Sequence, residues 1–196
     1  MPYIPEYMSP AYFTEKASVD TLWQQLETLQ QVAARKGISN IFQDNGAEIL
    51  QQLVYLNFAV VPGREGNDGV DANGCQWEMK SLDISKGNRG ITTNHHLNYD
   101  IIDKYRTVPW SIALYDGIHL LAIYIIGREA MEPWYRKWEE QLQTRESLNN
   151  PKIPLKYIEE NGILIYQDGD EYPLNPLDYI NTRPYVLLQR RYFETH

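Results

Sequence analysis

The stretch that decides the fold runs from Arg64 to Lys80 and reads Arg-Glu-Gly-Asn-Asp-Gly-Val-Asp-Ala-Asn-Gly-Cys-Gln-Trp-Glu-Met-Lys. Its Asn73-Gly74 pair is a strong turn signal, because both residues tolerate a positive φ. The run 75–84 that follows is bounded like a β-strand. Side chains two apart on a strand share a face, so Glu78 and Lys80 point the same way. The stretch therefore predicts a β-hairpin with an acid and a lysine on one face.

The length of the hairpin loop decides which aspartate joins this pair. A three-residue loop, 72–74, with Gly74 left-handed, pairs Asp71 with Cys75 and puts Asp68 opposite Glu78. A two-residue loop puts Asp71 on the Glu78 face instead and turns Asp68 away. The Gly after Asn favours the longer loop, and hence Asp68, but the residues alone leave both alternatives open.

Two carboxylates beside a lysine suit the hydrolysis of a phosphodiester with a divalent metal. Mg²⁺ prefers hard oxygen ligands and keeps several waters, and a bound metal lowers the pKa of such a water. Lys80 is placed to stabilise charge that develops on the phosphate. The plain alternative is a solvated Glu-x-Lys ion pair and an Asp engaged in turn chemistry, and neither of these would be catalytic.

Further motifs fall in order along the chain. They are Gly37-Ile-Ser-Asn-Ile-Phe-Gln-Asp-Asn-Gly46, Pro62-Gly-Arg-Glu-Gly-Asn-Asp68, Glu78-Met-Lys-Ser81, His95-His96, Lys104-Tyr-Arg106 with Val108-Pro-Trp110, and Asn149-Asn-Pro-Lys-Ile-Pro154. Through these motifs the region from about Trp23 to Tyr166 resembles the PvuII-type family of type II restriction endonucleases, within the PD-ExK nuclease superfamily. The resemblance implies an α/β fold with a central mixed β-sheet flanked by helices, and a homodimer that straddles a palindrome.

The resemblance also implies the catalytic residues, which are Asp68, Glu78, Lys80 and Tyr105. It implies Mg²⁺ as the cofactor, held by Asp68, Glu78 and the backbone carbonyl of Met79. Glu65 matches an acid close to that site. The first catalytic acid of the family falls on Asp68 and not on Asp71, in agreement with the longer loop.

DNA contacts are implied for eight residues, which are Asp44, Thr92, Thr93, His95, His96, Asn149, Asn150 and Lys152. An Asn amide can pair with adenine in the major groove, and a His ring can donate to guanine. The implied substrate is double-stranded DNA at 5′-CAGCTG, cut at its centre to leave blunt ends, and a cognate DNA methyltransferase is the implied functional partner. On its own, Asp44 would be interpreted as a helix N-cap, and Asn149-Asn150 before Pro151 as a turn.

The sequence departs from the family pattern at three places. Asn94 replaces the first of three histidines, the 85–91 loop differs, and the residues after Tyr166 have no counterpart in the resemblance. The first two lie beside the expected base contacts, so they leave the recognition sequence open. The alternatives are a nuclease of the same fold with a different palindrome and a DNA-binding module without cleavage.

Composition favours a cytoplasmic protein of one domain. The chain has 196 residues, and its longest apolar run, 120–126, is too short to cross a membrane. We expect no signal peptide, because the start lacks a basic and an apolar region. Cys75 is the single cysteine, which excludes an internal disulfide and suits a reducing compartment.

The expected organisation has three parts. Residues 1–16 form an irregular arm, residues 17–166 form the endonuclease domain, and residues 167–196 form a C-terminal extension packed on that domain. The domain begins with a helix capped by Ser18 and ended at Gly37, whose apolar stripe suits core packing or dimer contact equally. The further elements expected are helices at 45–57, 98–105 and 132–143, strands at 110–115, 118–126 and 185–193, and a loop at 149–154.

We predict a strong salt dependence of DNA affinity despite a net charge of −8. Seven basic residues are expected near the site, namely Lys80, Lys86, Arg89, Lys104, Arg106, Lys152 and Lys156. Because phosphate contacts release counterions, the dissociation constant should rise by about a thousandfold between roughly 50 and 200 mM salt. Fluorescence anisotropy with a labelled duplex measures it, and a flat response would contradict a phosphate-lined cleft.

Overall fold

The computed structural model describes residues 10–38, 40–42, 45–60, 68–85, 87–93 and 96–180. The chain divides into two units, Met1–Ala47 and Glu48–His196.

The first unit is dominated by the long helix α1 (Pro10–Arg35). Its end was correctly expected: Gly37 has a φ of 84°, and Ile38 N donates to Ala33 O at 2.9 Å. Its start was wrong. The helix begins at Pro10, so residues 10–16 of the expected irregular arm are helical, and the Ser18 hydroxyl donates to Thr14 O at 3.0 Å within the helix. Proline fits here because the first turn of a helix needs no N–H from it.

The second unit is built on a six-stranded sheet in the order β1-β2-β3-β5-β6-β8. Only β3 and β5 run parallel, so the sheet is mixed, as expected. A separate antiparallel ribbon pairs β4 with β7. The strands are β1 (Ala59–Val60), β2 (Gly69–Val70), β3 (Gln76–Asp83), β4 (Gly90–Thr92), β5 (Trp110–Asp116), β6 (His119–Ile126), β7 (Lys152–Pro154) and β8 (Ile163–Gln167).

Helices accompany both faces of this sheet. They are α2 (Gly46–Tyr55), α3 (Tyr99–Arg106), α4 (Arg128–Leu142), α5 (Leu155–Asn161) and α6 (Leu177–Ile180). On one face, Trp110 and Ile112 of β5 pack in a core that includes Tyr135 and Trp138 of α4. On the other face, the buried Gln52 of α2 donates to Lys80 O at 3.3 Å and accepts from the Ser111 hydroxyl at 2.7 Å. One helical side chain therefore ties α2 to both parallel strands.

The hairpin between β2 and β3 has the three-residue loop. Gly69 pairs with Trp77, and Asp71 N donates to Cys75 O at 3.0 Å. Gly74 has a φ of 80° and donates to Asp71 O at 3.0 Å. The expected register is confirmed, and the two-residue loop is wrong. Continuing the register by one residue sets Asp68 opposite Glu78.

The side chain of Asp71 is committed to the turn. Its Oδ1 accepts from the backbone N–H groups of Asn73 (2.9 Å) and Cys75 (3.0 Å). Its Oδ2 accepts from the indole N–H of Trp77 at 2.9 Å, and the residue is 6% exposed. Because the Asp71 carboxylate is buried and accepts three hydrogen bonds, its role is to stabilise the turn of the hairpin.

Two further elements agree with the expectations. Helix α3 lies within one residue of the expected helix at 98–105, and its N-cap Asn98 accepts from Ile101 N at 3.0 Å. Strands β5 and β6 meet at Gly117, whose φ is 63°. Of the extension, residues 167–180 are described, and among them Leu174 N donates to Ile165 O of β8 at 2.8 Å.

Two expectations were wrong. Helix α4 begins at Arg128, one turn before the expected start, so Pro133 lies inside it. The expected loop 149–154 contains the short strand β7. The expected strand 185–193 lies outside the described residues.

No helix within the described ranges is long and apolar enough to span a membrane.

Replacing Asp71 with alanine should destabilise the protein strongly. The change removes the acceptor of the buried Trp77 indole, the half-buried Cys75 N–H and the Asn73 N–H in the turn, which we expect to cost about 3 kcal/mol of unfolding free energy. Urea denaturation followed by tryptophan fluorescence measures it. The matched control is Asp116→Ala at the exposed β5–β6 turn, which should be near neutral; equal losses in both variants would contradict the role given to Asp71.

Candidate active site

The hairpin brings Asp68, Glu78 and Lys80 together. Glu78 lies on β3 and is 7% exposed, and the ammonium group of Lys80 forms an ion pair with its carboxylate. Asp68 lies at the end of β2, where its Oδ2 accepts from Met79 N at 2.9 Å. Asp68 therefore accepts a hydrogen bond from β3, the strand that carries Glu78 and Lys80, and the hairpin register sets it opposite Glu78.

Tyr105 joins these residues from α3. Its hydroxyl hydrogen-bonds Glu78, and its backbone carbonyl accepts from the Tyr135 hydroxyl at 3.0 Å. Burial, with the charges of Glu78 and Asp68, raises the pKa of Tyr105 far above its ordinary value. The phenol therefore keeps its proton at neutral pH and can donate to the Glu78 carboxylate.

Trp110 forms the apolar wall of the site. Its ring lies 4.7 Å from the ring of Tyr105, centroid to centroid, and 5.9 Å from the Lys80 ammonium. The sequence analysis named Trp110 only within a motif, and it gave neither Trp110 nor Tyr135 a role at the site. Trp110 reaches the site because β3 pairs in parallel with β5, with Glu78 opposite Trp110, and such long-range pairing leaves no local signal.

Burial raises the pKa of Glu78 above its ordinary value, and the nearby charge of Asp68 adds to the rise. Lys80 and the hydrogen bond from Tyr105 oppose the rise but do not cancel it. The charged form of Glu78 is thus disfavoured mainly by burial, and the site holds two acids and one lysine. A cation beside the two acids would favour the charged form.

The donor set fits a hard divalent cation. Asp68 and Glu78 offer carboxylate oxygens, the ligand type that Mg²⁺ prefers, and two carboxylates leave room for waters. Within the described ranges, no group of three or more His, Cys, Asp and Glu side chains gathers to hold a metal. Further ligands would therefore be backbone carbonyls, water or the substrate.

A second group of predicted residues lies on the β4–β7 ribbon. Thr92 pairs with Lys152, and both the N–H and the hydroxyl of Thr93 donate to Pro151 O, at 3.2 and 3.0 Å. Asn149 and Asn150 directly precede Pro151, and His96 is exposed close to β4 in sequence. The predictions for Asp44, Glu65 and His95 lie outside the described residues.

Arg106 does not fit its expected place among cations available to DNA. Its guanidinium bonds Glu139 at 2.6 and 2.7 Å and Glu132 at 3.0 and 3.2 Å, and it lies 5.6 Å from the Tyr135 ring centroid. These bonds raise the pKa of Arg106 and lower those of both glutamates. Arg106 therefore ties α3 to α4, which fixes the helix that carries Tyr105.

A mixed sheet with an acid and a lysine two residues apart on a central strand, and a second acid on the neighbouring strand, is suited to a phosphodiester-cleaving nuclease. The family model of restriction endonuclease PvuII matches residues 14–166. The chain belongs to the PvuII restriction endonuclease family. It is thus a type II site-specific deoxyribonuclease with DNA as its substrate. Restriction endonucleases generally use a divalent metal.

Glu78→Gln should be more stable than the wild type at neutral pH in the absence of divalent metal. The folded-state pKa of Glu78 is raised above its unfolded value near 4.5, so its contribution is fully favourable below that value and is lost as pH rises through the folded pKa. Glutamine resembles the protonated acid, so its advantage should appear at pH 7 and vanish towards pH 4.

Urea denaturation across this pH range, with a chelator present, measures the difference. Glu140→Gln on the exposed side of α4 is the control and should follow the wild type at every pH. A Glu78→Gln variant that is less stable than the wild type at pH 7 would contradict the raised pKa.

Proposed function

We propose that the enzyme hydrolyses both strands of double-stranded DNA at a six-base palindrome, 5′-CAGCTG, in a Mg²⁺-dependent reaction. The cut falls at the centre of the site and leaves blunt ends. The observation that carries the proposal is the placement of Asp68 opposite Glu78, with Lys80 paired to Glu78. The recognition sequence itself rests on the family resemblance.

Asp68, Glu78 and the backbone carbonyl of Met79 would hold the Mg²⁺. When bound, the ion supplies an activated water and neutralises charge on the reacting phosphate. The burial of Glu78 opposite Asp68, which disfavours its charged form when no cation is bound, supports this assignment.

The protein's own groups do the remaining work. Lys80 orients the attacking water and stabilises charge that develops on the phosphate oxygens. Tyr105 donates to Glu78 and fixes its carboxylate, and the buried Trp110 limits the access of bulk water to this side of the site. By the family resemblance, Glu65 would be a further acid near the site.

Base and backbone contacts are assigned to residues of and near the ribbon, with one residue before α2. They are Thr92, Thr93, His95, His96, Asn149, Asn150, Lys152 and Asp44. Amides that both donate and accept suit adenine, and imidazole donors suit guanine. A two-fold symmetric protein needs only three base pairs read by each subunit to define six.

The active form in this proposal is a homodimer. Leu22 and Leu29 are seven residues apart on α1, hence on one face, and they are 56% and 40% exposed. Exposed apolar side chains on one helical face suit a second helix of the same kind. Such an enzyme acts in the cytoplasm, where a cognate DNA methyltransferase must protect the host's own sites.

Incubation with a plasmid of known sequence, with and without Mg²⁺, tests the reaction. Blunt ends within CAGCTG that appear only with the metal are the expected result. Discrete ends elsewhere would favour a different palindrome, which Asn94 and the altered 85–91 loop make the main alternative. A sequence-specific mobility shift without cleavage would favour a binding module.

Lys80→Ala should retain specific DNA binding and lose cleavage. Removing one charge-stabilising donor from an active site costs about a hundred- to a thousandfold in rate. Single-turnover cleavage and anisotropy binding are the two measurements. Lys137→Ala is the matched control. The Lys137 ammonium lies 4.5 Å from the centroid of the Trp134 ring on α4, so this variant should cleave like the wild type. An active Lys80→Ala variant would remove the mechanism.

A further inference from the structure

The geometry points to Thr93 as a positioning residue that fixes Asn149 and Asn150 and so sets how sharply the enzyme discriminates between DNA sequences. This inference rests on the proposed function, because it takes the two asparagines as base contacts. It changes the role of Thr93 itself, whose hydroxyl is directed at the protein backbone.

The two asparagines lie between two hydrogen-bonded anchors. Before them, Leu148 and Leu97 exchange both backbone hydrogen bonds, at 2.8 and 3.0 Å. After them, Pro151 O accepts from the N–H and the hydroxyl of Thr93. Thr93 makes one anchor and Leu97 makes the other, and the exposed His96 directly precedes Leu97 in the chain. The two anchors therefore hold the chain on both sides of Asn149 and Asn150.

Proline makes the second anchor unusually dependent on Thr93. Pro151 has no N–H, so it cannot return a hydrogen bond across the ribbon, and only its carbonyl can hold the chain there. Thr93 supplies two donors to that one carbonyl. Removing the hydroxyl leaves a single backbone bond, at 3.2 Å, to secure the residue that follows the asparagines.

The backbone at Asn150 needs such support. Its φ is 47°, in the left-handed region that costs about 1 kcal/mol for a residue with a Cβ, although asparagine tolerates it better than most. An unfavourable conformation of this kind persists only where the surroundings fix it. The directions of the Asn149 and Asn150 amides follow from this turn, so they depend on the Pro151 anchor.

Discrimination is the property that this anchor should affect most. An amide recognises adenine through two hydrogen bonds whose geometry must be met together. A looser turn weakens that pairing on the correct base and allows other bases to be accommodated. The rate of the chemical step depends on Asp68, Glu78 and Lys80, which belong to the β2–β3 hairpin and not to the β4–β7 ribbon.

The test compares Thr93→Val, which removes the hydroxyl and keeps the shape, with Thr93→Ser, which keeps the hydroxyl. For each protein, kcat/KM is measured on the duplex that the wild type cuts best and on duplexes with one base pair changed. Thr93→Val should lower the ratio of the two values about tenfold, as expected for a lost hydrogen bond at a site where one mismatch costs 10- to 100-fold or so. Thr93→Ser should keep the wild-type ratio.

Thr144→Val is the matched control. Its hydroxyl also bonds a backbone carbonyl, Gln141 O at 3.4 Å, but at the end of α4. It should keep the wild-type ratio. Because the ratio is taken between substrates of one protein, a lower folded fraction cancels and a purely structural role would not change it.

A wild-type ratio in Thr93→Val, or a loss in Thr93→Ser as large as in Thr93→Val, would overturn the inference. Asn149→Ala and Asn150→Ala serve as positive controls. If both variants keep full discrimination, the assignment of the two asparagines as base contacts and this inference are both wrong. Failure of the proposed function shows earlier and separately, as a wild-type protein that cuts no discrete sequence.

Discussion

The register of one hairpin is the constraint on which the site depends. Side chains alternate on a strand, so a slip of one residue between β2 and β3 would turn Asp68 away from Glu78. The buried carboxylate of Asp71 prevents this slip, because it binds two N–H groups of the turn and the indole of Trp77. Two acids three residues apart thus divide the work: Asp71 holds the fold and leaves Asp68 in place beside Glu78.

The same hairpin carries an electrostatic cost. Glu78 is nearly buried and faces a second acid. Its pKa is raised, because Lys80 and Tyr105 do not fully offset the effects of burial and of the Asp68 charge. An arrangement that is unfavourable without a cation persists only if its frame is stable. The frame consists of the Asp71 turn, the parallel β3–β5 pair with Gln52 behind it, and Arg106, which ties α3 to α4 and so fixes Tyr105.

Local signals in the sequence were sufficient for the elements that depend on a single turn. Gly74 and Gly117 each adopt the positive φ that the expected turns between strands require. Expectations failed where tertiary packing outweighs local preference. Helix α4 contains Pro133 and buries Met131 before it and Tyr135 after it. Strand β7 forms because β4 supplies a partner that the stretch 149–154 does not itself reveal. The places of Trp110 and Tyr135 beside the site likewise depend on tertiary packing, so the sequence did not predict them.

Arg106 shows why net charge is a poor guide to DNA binding in this chain. In the sequence it counts as one of seven cations beside the site. In the structure its guanidinium forms ion pairs with Glu132, Glu139 and Asp103, so its charge is already neutralised within the protein. An acidic protein with fewer available cations gains less from phosphates in general. More of its affinity must then come from groups that act only at the right sequence, so the acidic composition that argues against non-specific binding is compatible with a selective nuclease.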